Sequence, residues 1–192
     1  MVLTSIVSAS AAVRGCTPYI QEASWITSAL GLNRLATLLR DEGKLDESES
    51  MFRQTLAVAQ HAWGADQTDT ATIETNLGDL LAKRGKLAEA ERLLREGLRS
   101  REKVLPPGHP DIFDSEAKLG GVLAQEGRFE AAEPLLLSAY HGLDDASVGH
   151  AESKRLALSK IVDMYTAWSR KDPNAGKTKL AAAWKTRQSN PQ

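Results

Sequence analysis

Apolar residues recur along this chain at the spacing of amphipathic helices. A first helix is indicated by apolar positions three and four residues apart, namely Leu32, Leu35, Ala36 and Leu39. After a short polar stretch a second apolar face begins, formed by Leu45, Phe52 and Leu56. The pattern therefore predicts a pair of amphipathic helices, with the residues of the first list packed inward.

The predicted helix pair recurs at a fixed interval along the chain. Gly43, Gly85 and Gly127 are evenly spaced (85 − 43 = 42 and 127 − 85 = 42), and each is followed by a basic and then an apolar residue. Glycine suits the left-handed residue that ends a helix, because it has no Cβ to clash there. So short a connection makes the two helices antiparallel. We therefore predict units of helix, turn, helix and loop, with these three glycines at the turns.

A fourth, degraded unit keeps the same register. Ile161 lies 126 residues after Leu35 (161 − 35 = 126), and Met164 and Tyr165 follow at helical spacing. Ser169 stands where the turn glycine is expected. A helix that is both apolar and basic then closes the stack, since terminal repeats must cover an exposed core; it is predicted around Leu180, Ala183 and Trp184.

These units set the predicted domain boundaries. Residues 24–187 form a solenoid of about three full repeats and a degenerate fourth capping unit. The units span about 28–69, 70–111, 112–152 and 153–187, between an N-terminal segment 1–23 and a tail 188–192.

The pattern Leu77-Gly78-x-x-Leu81, continued by Gly85, Leu87, Ala90, Leu94 and Leu98, resembles the tetratricopeptide repeat. The longer loops resemble those of kinesin light chains and related bacterial proteins, as in the stretch 101–111. The resemblance implies an all-α fold, a right-handed superhelical α-solenoid of antiparallel helix pairs. The fourth unit also resembles the tetratricopeptide tails of some bacterial serine/threonine protein kinases, although no kinase motif is present.

The resemblance further implies that the first helices of successive units line a concave groove in which a ligand lies. The apolar positions of the first helix place Asn33, Thr37 and Arg40 on another face, and the repeat offset carries that face to the later units. The predicted groove residues are Asn33, Thr37, Arg40, Thr75, Asn76, Asp79, Lys118, Gly121, Ser159 and Asp163.

Small and polar residues predominate in this predicted groove. They leave room for an extended peptide or an inserted helix, and Asp79 and Asp163 would favour a basic side chain on that ligand. The alternative is that these positions are small because neighbouring first helices pack closely.

A terminal-carboxylate clamp is a narrower hypothesis for the same surface. Asn33, Asn76 and Lys118 resemble part of the set with which chaperone-binding tetratricopeptide domains hold such a carboxylate. Thr37 and Asp114 stand where asparagine and lysine would be required, and an acidic Asp114 opposes an anion. The sequence therefore argues against this clamp.

Composition and motifs argue against several other function classes. The chain has 192 residues, 42% hydrophobic and 26% charged, with a formal net charge of −1, so neither nucleic acid nor an acidic membrane is implied as a partner. One cysteine, Cys16, excludes an internal disulfide framework and favours a cytoplasmic location. Gly176-Lys177-Thr178 lacks the first glycine of a phosphate-binding loop, where Lys171 stands. We expect no membrane span, metal, cofactor or catalysis.

The predicted function is therefore a non-catalytic scaffold that binds a peptide or helix of another protein in the groove. An alternative is a regulatory segment of a bacterial signalling enzyme such as a serine/threonine protein kinase. A third is a structural repeat that associates with itself.

Overall fold

The structure, a computed structural model, describes residues 18–64, 66–143 and 150–189, and its regular elements there are all helical. These are α1 (Pro18–Asp41), α2 (Leu45–Trp63), α3 (Thr68–Lys83), α4 (Leu87–Val104), α5 (Pro110–Gln125), α6 (Phe129–Gly142), α7 (Ala151–Lys171), a 3₁₀ helix (Pro173–Ala175) and α8 (Lys177–Ser189). The predicted all-α solenoid is confirmed. None of the described helices combines the length and the apolar character needed to cross a bilayer. Cys16 lies outside the described residues.

Consecutive helices pack in pairs, and the pairs stack side by side. The partners are α1 with α2, α3 with α4, α5 with α6 and α7 with α8, and each second helix also packs against the first helix of the next pair. Each first helix also contacts the first helix of the next pair, in the order α1, α3, α5 and α7. In the described ranges, the second helices do not contact one another to the same extent. The first helices therefore lie on the inside of the stack.

The turn inside each of the first three pairs is a Schellman motif. Gly43, Gly85 and Gly127 have φ values of +80°, +75° and +74°, the left-handed region that glycine adopts without strain. In the first turn, the Lys44 amide donates to the Leu39 carbonyl and the Gly43 amide to the Arg40 carbonyl, at 2.9 and 3.0 Å. The last carbonyls of α1 are thereby satisfied while the chain reverses.

The fourth turn lies later in the chain than predicted. The expectation of a turn at Ser169 was wrong, because α7 continues to Lys171 and the Ser169 hydroxyl donates to the Thr166 carbonyl at 3.0 Å. The left-handed glycine is Gly176, with a φ of +67°, which lies 49 residues after Gly127 (176 − 127 = 49). Gly176-Lys177 is therefore the fourth glycine-and-base turn.

A periodic set of carboxylates ties each pair to the next. Glu49, Glu91 and Glu133 lie 42 residues apart on the second helices, and each binds the base that follows the next turn glycine. Lys86 binds Glu49 at 2.8 Å, Arg128 binds Glu91 at 2.7 Å and Lys177 binds Glu133 at 2.9 Å. We call these three ion pairs the inter-unit ladder. It explains why a base follows each glycine in the sequence.

The apolar core runs continuously through the stack, and the last pair is held to it by aromatic residues. Trp168 stacks on Phe129 with ring centroids 5.5 Å apart, and Trp184 meets the Tyr140 ring edge-on at 5.1 Å. The predicted inward packing fails at one position, since Leu35 is 43% exposed. The reason is that no described helix precedes α1.

Candidate binding surface

The side chains that reach between neighbouring first helices form the candidate binding surface. We call it the inner surface, and its polar members are Asn33, Arg40, Asn76, Asp79, Lys83, Asp114, Lys118 and Lys160. At the α1 end, the Asn76 amide donates to the Asn33 side-chain oxygen at 3.3 Å. The Thr37 hydroxyl donates to the Asn33 carbonyl at 2.9 Å, so this part of the surface is neutral.

Asp79 is the charged centre of the inner surface. The Arg40 guanidinium lies 3.4 Å away on α1, and the Lys83 ammonium lies 3.3 Å away on α3 itself. Burial alone would raise the pKa of Asp79, but Lys83, Lys118, Lys160 and Arg40 together hold this pKa below its ordinary value. Asp79 is therefore ionised and already compensated by cations from four helices.

Lys118 and Lys160 extend the cationic region toward α7. Lys118 binds Asp114 at 2.7 Å, one helical turn away on α5. Lys160 has no hydrogen-bond or ion-pair partner within the described ranges. Burial lowers the pKa of Lys160, and Lys118 lowers it further, although Asp79 acts in the opposite direction. Lys160 thus carries an ammonium whose charge no direct partner neutralises.

A small pocket of about 160 Å³ opens beside Lys160, between α5 and α7. Its lining is mostly small or apolar, from Gly121, Ala124, Met164 and Ala167, with Gln125, Lys160 and Asp163 as the polar members. The Lys160 side chain lies across Gly121, since a Cβ placed on that glycine would come within 2.8 Å of Nζ. Glycine at position 121 therefore allows the lysine to lie between the two helices.

Not all of the predicted groove residues reach this surface. Thr75 is fully buried and bonds the Ala71 carbonyl, and its hydroxyl lies 2.8 Å from where a Cβ on Gly97 would be. Thr75 therefore faces α4, the second helix of its own pair, and does not line the groove. Ser159 is half-buried on α7, next to Lys160.

Asp79, one of the two carboxylates expected to attract a basic ligand, is already paired with cations of the protein itself. Three of the four cations of the inner surface already have carboxylate partners: Arg40 pairs with Asp41 and Asp79, Lys83 pairs with Asp79, and Lys118 pairs with Asp114. Lys160 has no ion-pair partner within the described ranges. Asp114, which was expected to oppose an anion, is itself neutralised by Lys118.

Sequence reasoning missed Lys83 and Lys160. The signal for Lys160 was present, because it lies one repeat after the predicted Lys118 (160 − 118 = 42). Lys83 follows Asp79 by four residues, the spacing at which oppositely charged side chains meet on a helix.

A comparison with known families identifies the repeat. The tetratricopeptide repeat family model matches residues 27–103 and again residues 69–141, which together make up more than half of the chain. No curated protein sequence matches this chain.

Solved structures share the fold at low sequence identity. BtubC (BKLC) from P. vanneervenii superposes with a TM-score of 0.66 at 15% identity, over 94% of this chain and 71% of that one. A structure of kinesin light chain TPR-like repeats from Podosopora anserina gives 0.62 at 16% identity, over 99% and 86% of the two chains. A single-substitution variant of the same repeats gives 0.63 at 16% identity, over 97% and 85%. At these identities the likeness extends to the fold alone.

Proposed function

Since this chain belongs to the tetratricopeptide repeat family, we propose that it is a non-catalytic interaction module that holds a segment of another protein along the inner surface. The observation that carries the finer proposal is that Lys160 lies among the other cations of that surface without a hydrogen-bond or ion-pair partner in the described ranges. The ligand segment carries a carboxylate that pairs with Lys160. It is either an extended peptide or a helix.

The charge arrangement supports an acidic ligand for a physical reason. In the free protein burial is the main cause that lowers the pKa of Lys160, and Asp79 and Asp114 act against it while Lys118 and Lys83 act with it. A bound carboxylate would compensate for the hydration that burial removes and would form a charge-assisted hydrogen bond, which is stronger than a neutral one. The same contact would disfavour a basic segment, so the surface would select as well as bind.

The pocket beside Lys160 supports a second feature of the ligand. Its lining from Gly121, Ala124, Met164 and Ala167 is small and apolar, and its volume of about 160 Å³ suits one side chain of modest size. We propose that an apolar side chain of the ligand enters this pocket while the neighbouring carboxylate reaches Lys160. An apolar anchor next to a charged group would fix the register of the segment.

Capture from a lysate followed by peptide measurements tests the proposal. The whole chain serves as bait in three forms: unchanged, with Lys160→Gln, and with Lys179→Gln, which removes an exposed lysine of α8 as the matched control. Proteins retained by the unchanged chain and by Lys179→Gln but lost with Lys160→Gln are candidate ligands of the inner surface. Synthetic peptides that tile those proteins then locate the bound segment.

The affinity of the best peptide decides the outcome. We expect Lys160→Gln to weaken binding about tenfold, which corresponds to the loss of one charge-assisted hydrogen bond of about 1.5 kcal/mol, and Lys179→Gln to leave it unchanged. Replacing the acidic residue of the peptide by its amide should have the same effect as Lys160→Gln. Equal affinities of the unchanged chain and Lys160→Gln for every captured segment would refute the assignment.

A further inference from the structure

Within the described ranges, one face of α1 has no neighbour of the kind that covers its equivalents in the later units. Leu35 and Leu38 are 43% and 59% exposed. The repeat-equivalent residues of α3, α5 and α7 are at most 2% exposed, and they are Leu77, Leu80, Leu119, Val122, Ile161 and Met164. In those helices the second helix of the preceding pair packs on the corresponding face. In the described part of the chain no element does this for α1.

From Ala29 onward, the exposed residues of α1 form one continuous face together with Glu42, which directly follows the helix and whose amide still donates to the Leu38 carbonyl. At about 100° per residue they fall within an arc of about 140° with Leu38 near its middle. Its members, all exposed, are Leu30, Gly31, Arg34, Leu35, Leu38, Asp41 and Glu42. We call this the α1 outer face. The inner-surface residues Asn33 and Arg40 lie outside this arc, and the two surfaces adjoin where Arg40 pairs with Asp41 at 3.0 Å.

The charges on the α1 outer face are arranged symmetrically about Leu38. Arg34 lies four residues before it and Glu42 four residues after it, about 6 Å to either side along the helix. If a second copy of α1 packs antiparallel with Leu38 opposite Leu38, each Arg34 meets the partner's Glu42. The face is therefore complementary to itself, as a two-fold interface requires.

We propose that this protein pairs with a second copy of itself through the α1 outer face, with the two α1 helices antiparallel and Leu38 on the two-fold axis. Gly31 has no atoms within 4 Å of the place where a Cβ would stand, which leaves room for a partner side chain to approach the helix backbone. Glu42 contacts Lys44 at 2.8 Å, but both side chains are more than half exposed, so this weak pair can exchange for a new one.

The opposite end of the stack presents a less apolar face. α8 contains no buried residue, and among the described residues its one exposed large apolar side chain is Leu180, 39% exposed, alongside the exposed bases Lys179, Lys185 and Arg187. Because the two ends differ in this way, a closed two-fold dimer through α1 is favoured over an open filament, which would need complementary faces at both ends.

Sedimentation equilibrium of the whole chain over a wide concentration range tests the pairing. The unchanged protein should show a reversible monomer–dimer equilibrium. Leu38→Glu should shift it toward the monomer by at least tenfold in the dissociation constant. The control is Leu156→Glu, which makes the same substitution at a leucine of α7 that is 50% exposed, and it should leave the equilibrium unchanged. Circular dichroism checks that helical content is retained.

Charge exchange tests the antiparallel register. Arg34→Glu alone and Glu42→Arg alone should each weaken the dimer, because each places like charges opposite one another, and the double variant should restore it. In a Cys16→Ser background, Leu38→Cys should form an intermolecular disulfide on oxidation, whereas Leu156→Cys should not.

Three results would each overturn the proposal. The first is a strictly monomeric unchanged protein, which would be the case if residues 1–17 of the same chain cover the α1 outer face. The second is a dimer insensitive to Leu38→Glu. The third is a double charge variant no better than either single one. None of these results bears on Lys160 or on peptide capture, so the proposed function stands or fails separately.

Discussion

Glu74 provides the sharpest test of the energetics inside the stack. It lies on α3 with only 2% of its surface exposed, and one carboxylate oxygen, Oε2, has no hydrogen-bond partner among the described residues. The other oxygen accepts a long bond of 3.4 Å from the Gln60 side chain. Burial raises the pKa of Glu74 from its ordinary 4.5 to about 7, and the bond from Gln60 opposes this only in part.

The raised pKa predicts the sign and the size of a pH effect. A group whose pKa is higher in the folded than in the unfolded state contributes stability that is complete below pH 4.5 and is lost as the pH rises through about 7. At 1.36 kcal/mol per unit of pKa, the difference between 4.5 and about 7 corresponds to a loss of roughly 3.4 kcal/mol. Glu74→Gln removes the ionisable group and keeps the shape. We therefore expect the variant to be more stable than the unchanged protein above pH 7 and about equally stable near pH 4.5.

Glu49 is the matched control, because its pKa is shifted in the opposite direction. Burial alone would raise the pKa of Glu49, but hydrogen bonds from Lys86 and Arg53 and the charge of Arg84 hold it below the ordinary value. Stability from Glu49 is therefore present above pH 4.5 and is lost as the pH falls through its lowered pKa. Glu49→Gln should destabilise the protein at neutral pH, and this deficit should shrink in acid.

Urea denaturation at pH 5 and pH 8, followed by circular dichroism, measures both variants. The free energy of unfolding of Glu74→Gln minus that of the unchanged protein should be larger at pH 8 than at pH 5. A difference independent of pH would refute the argument, because it would mean that Glu74 titrates alike in the folded and unfolded chains. Glu49→Gln serves as the control: if replacing any buried glutamate had the same effect, this variant would show the same dependence of stability on pH as Glu74→Gln.

Two further predictions concern packing and binding. Gly78→Ala should lower the free energy of unfolding by about 1 kcal/mol, because its Cβ would come within 2.7 Å of the buried Leu94 side chain. Gly31→Ala has open space around the new Cβ and should stabilise α1 by up to about 1 kcal/mol. Thermal melts should therefore show shifts of the melting temperature with opposite signs, and equal shifts would contradict the close contact at Gly78. Asp79→Asn should strengthen binding of an acidic peptide while lowering stability, because it frees the cations around it, Lys160 among them, and weaker peptide binding by isothermal titration calorimetry would argue against the charge assignment.

The fold could be predicted because its signal is repeated. A 42-residue offset that holds at Gly43, Gly85 and Gly127 leaves little freedom in how the helices pair. The fourth turn could not be placed in the same way, since α7 runs two residues past Ser169 to Lys171 before the chain turns. A repeat offset indicates equivalent positions only where the helix lengths are equal.

The candidate surface could be predicted only in part, and the reason is geometric. The repeat offset identifies side chains that point in the same direction, but the side chains that touch across neighbouring first helices are not repeat equivalents. Asn33 meets Asn76 at an offset of 43 and Arg40 meets Asp79 at an offset of 39. Adding 42 to Asn33 therefore led to Thr75, which faces the wrong helix. Charge compensation around Asp79 depends on these distances and could not be inferred from residue types.

Because the inter-unit ladder repeats, one whole unit could be removed without losing the ion pair between its neighbours. Each rung joins a carboxylate to a base in the adjacent unit, at positions that recur every 42 residues through the first three turns. Excising residues 70–111 would bring Arg128 opposite Glu49, in the place of Lys86. The new junction would join Asp69 to Ile112, which follows an aspartate, Asp111, in the present sequence as well. A gene that lost or duplicated one such block would thus encode a shorter or longer protein whose new junction already matches, which is a route by which arrays of this kind change length without redesign.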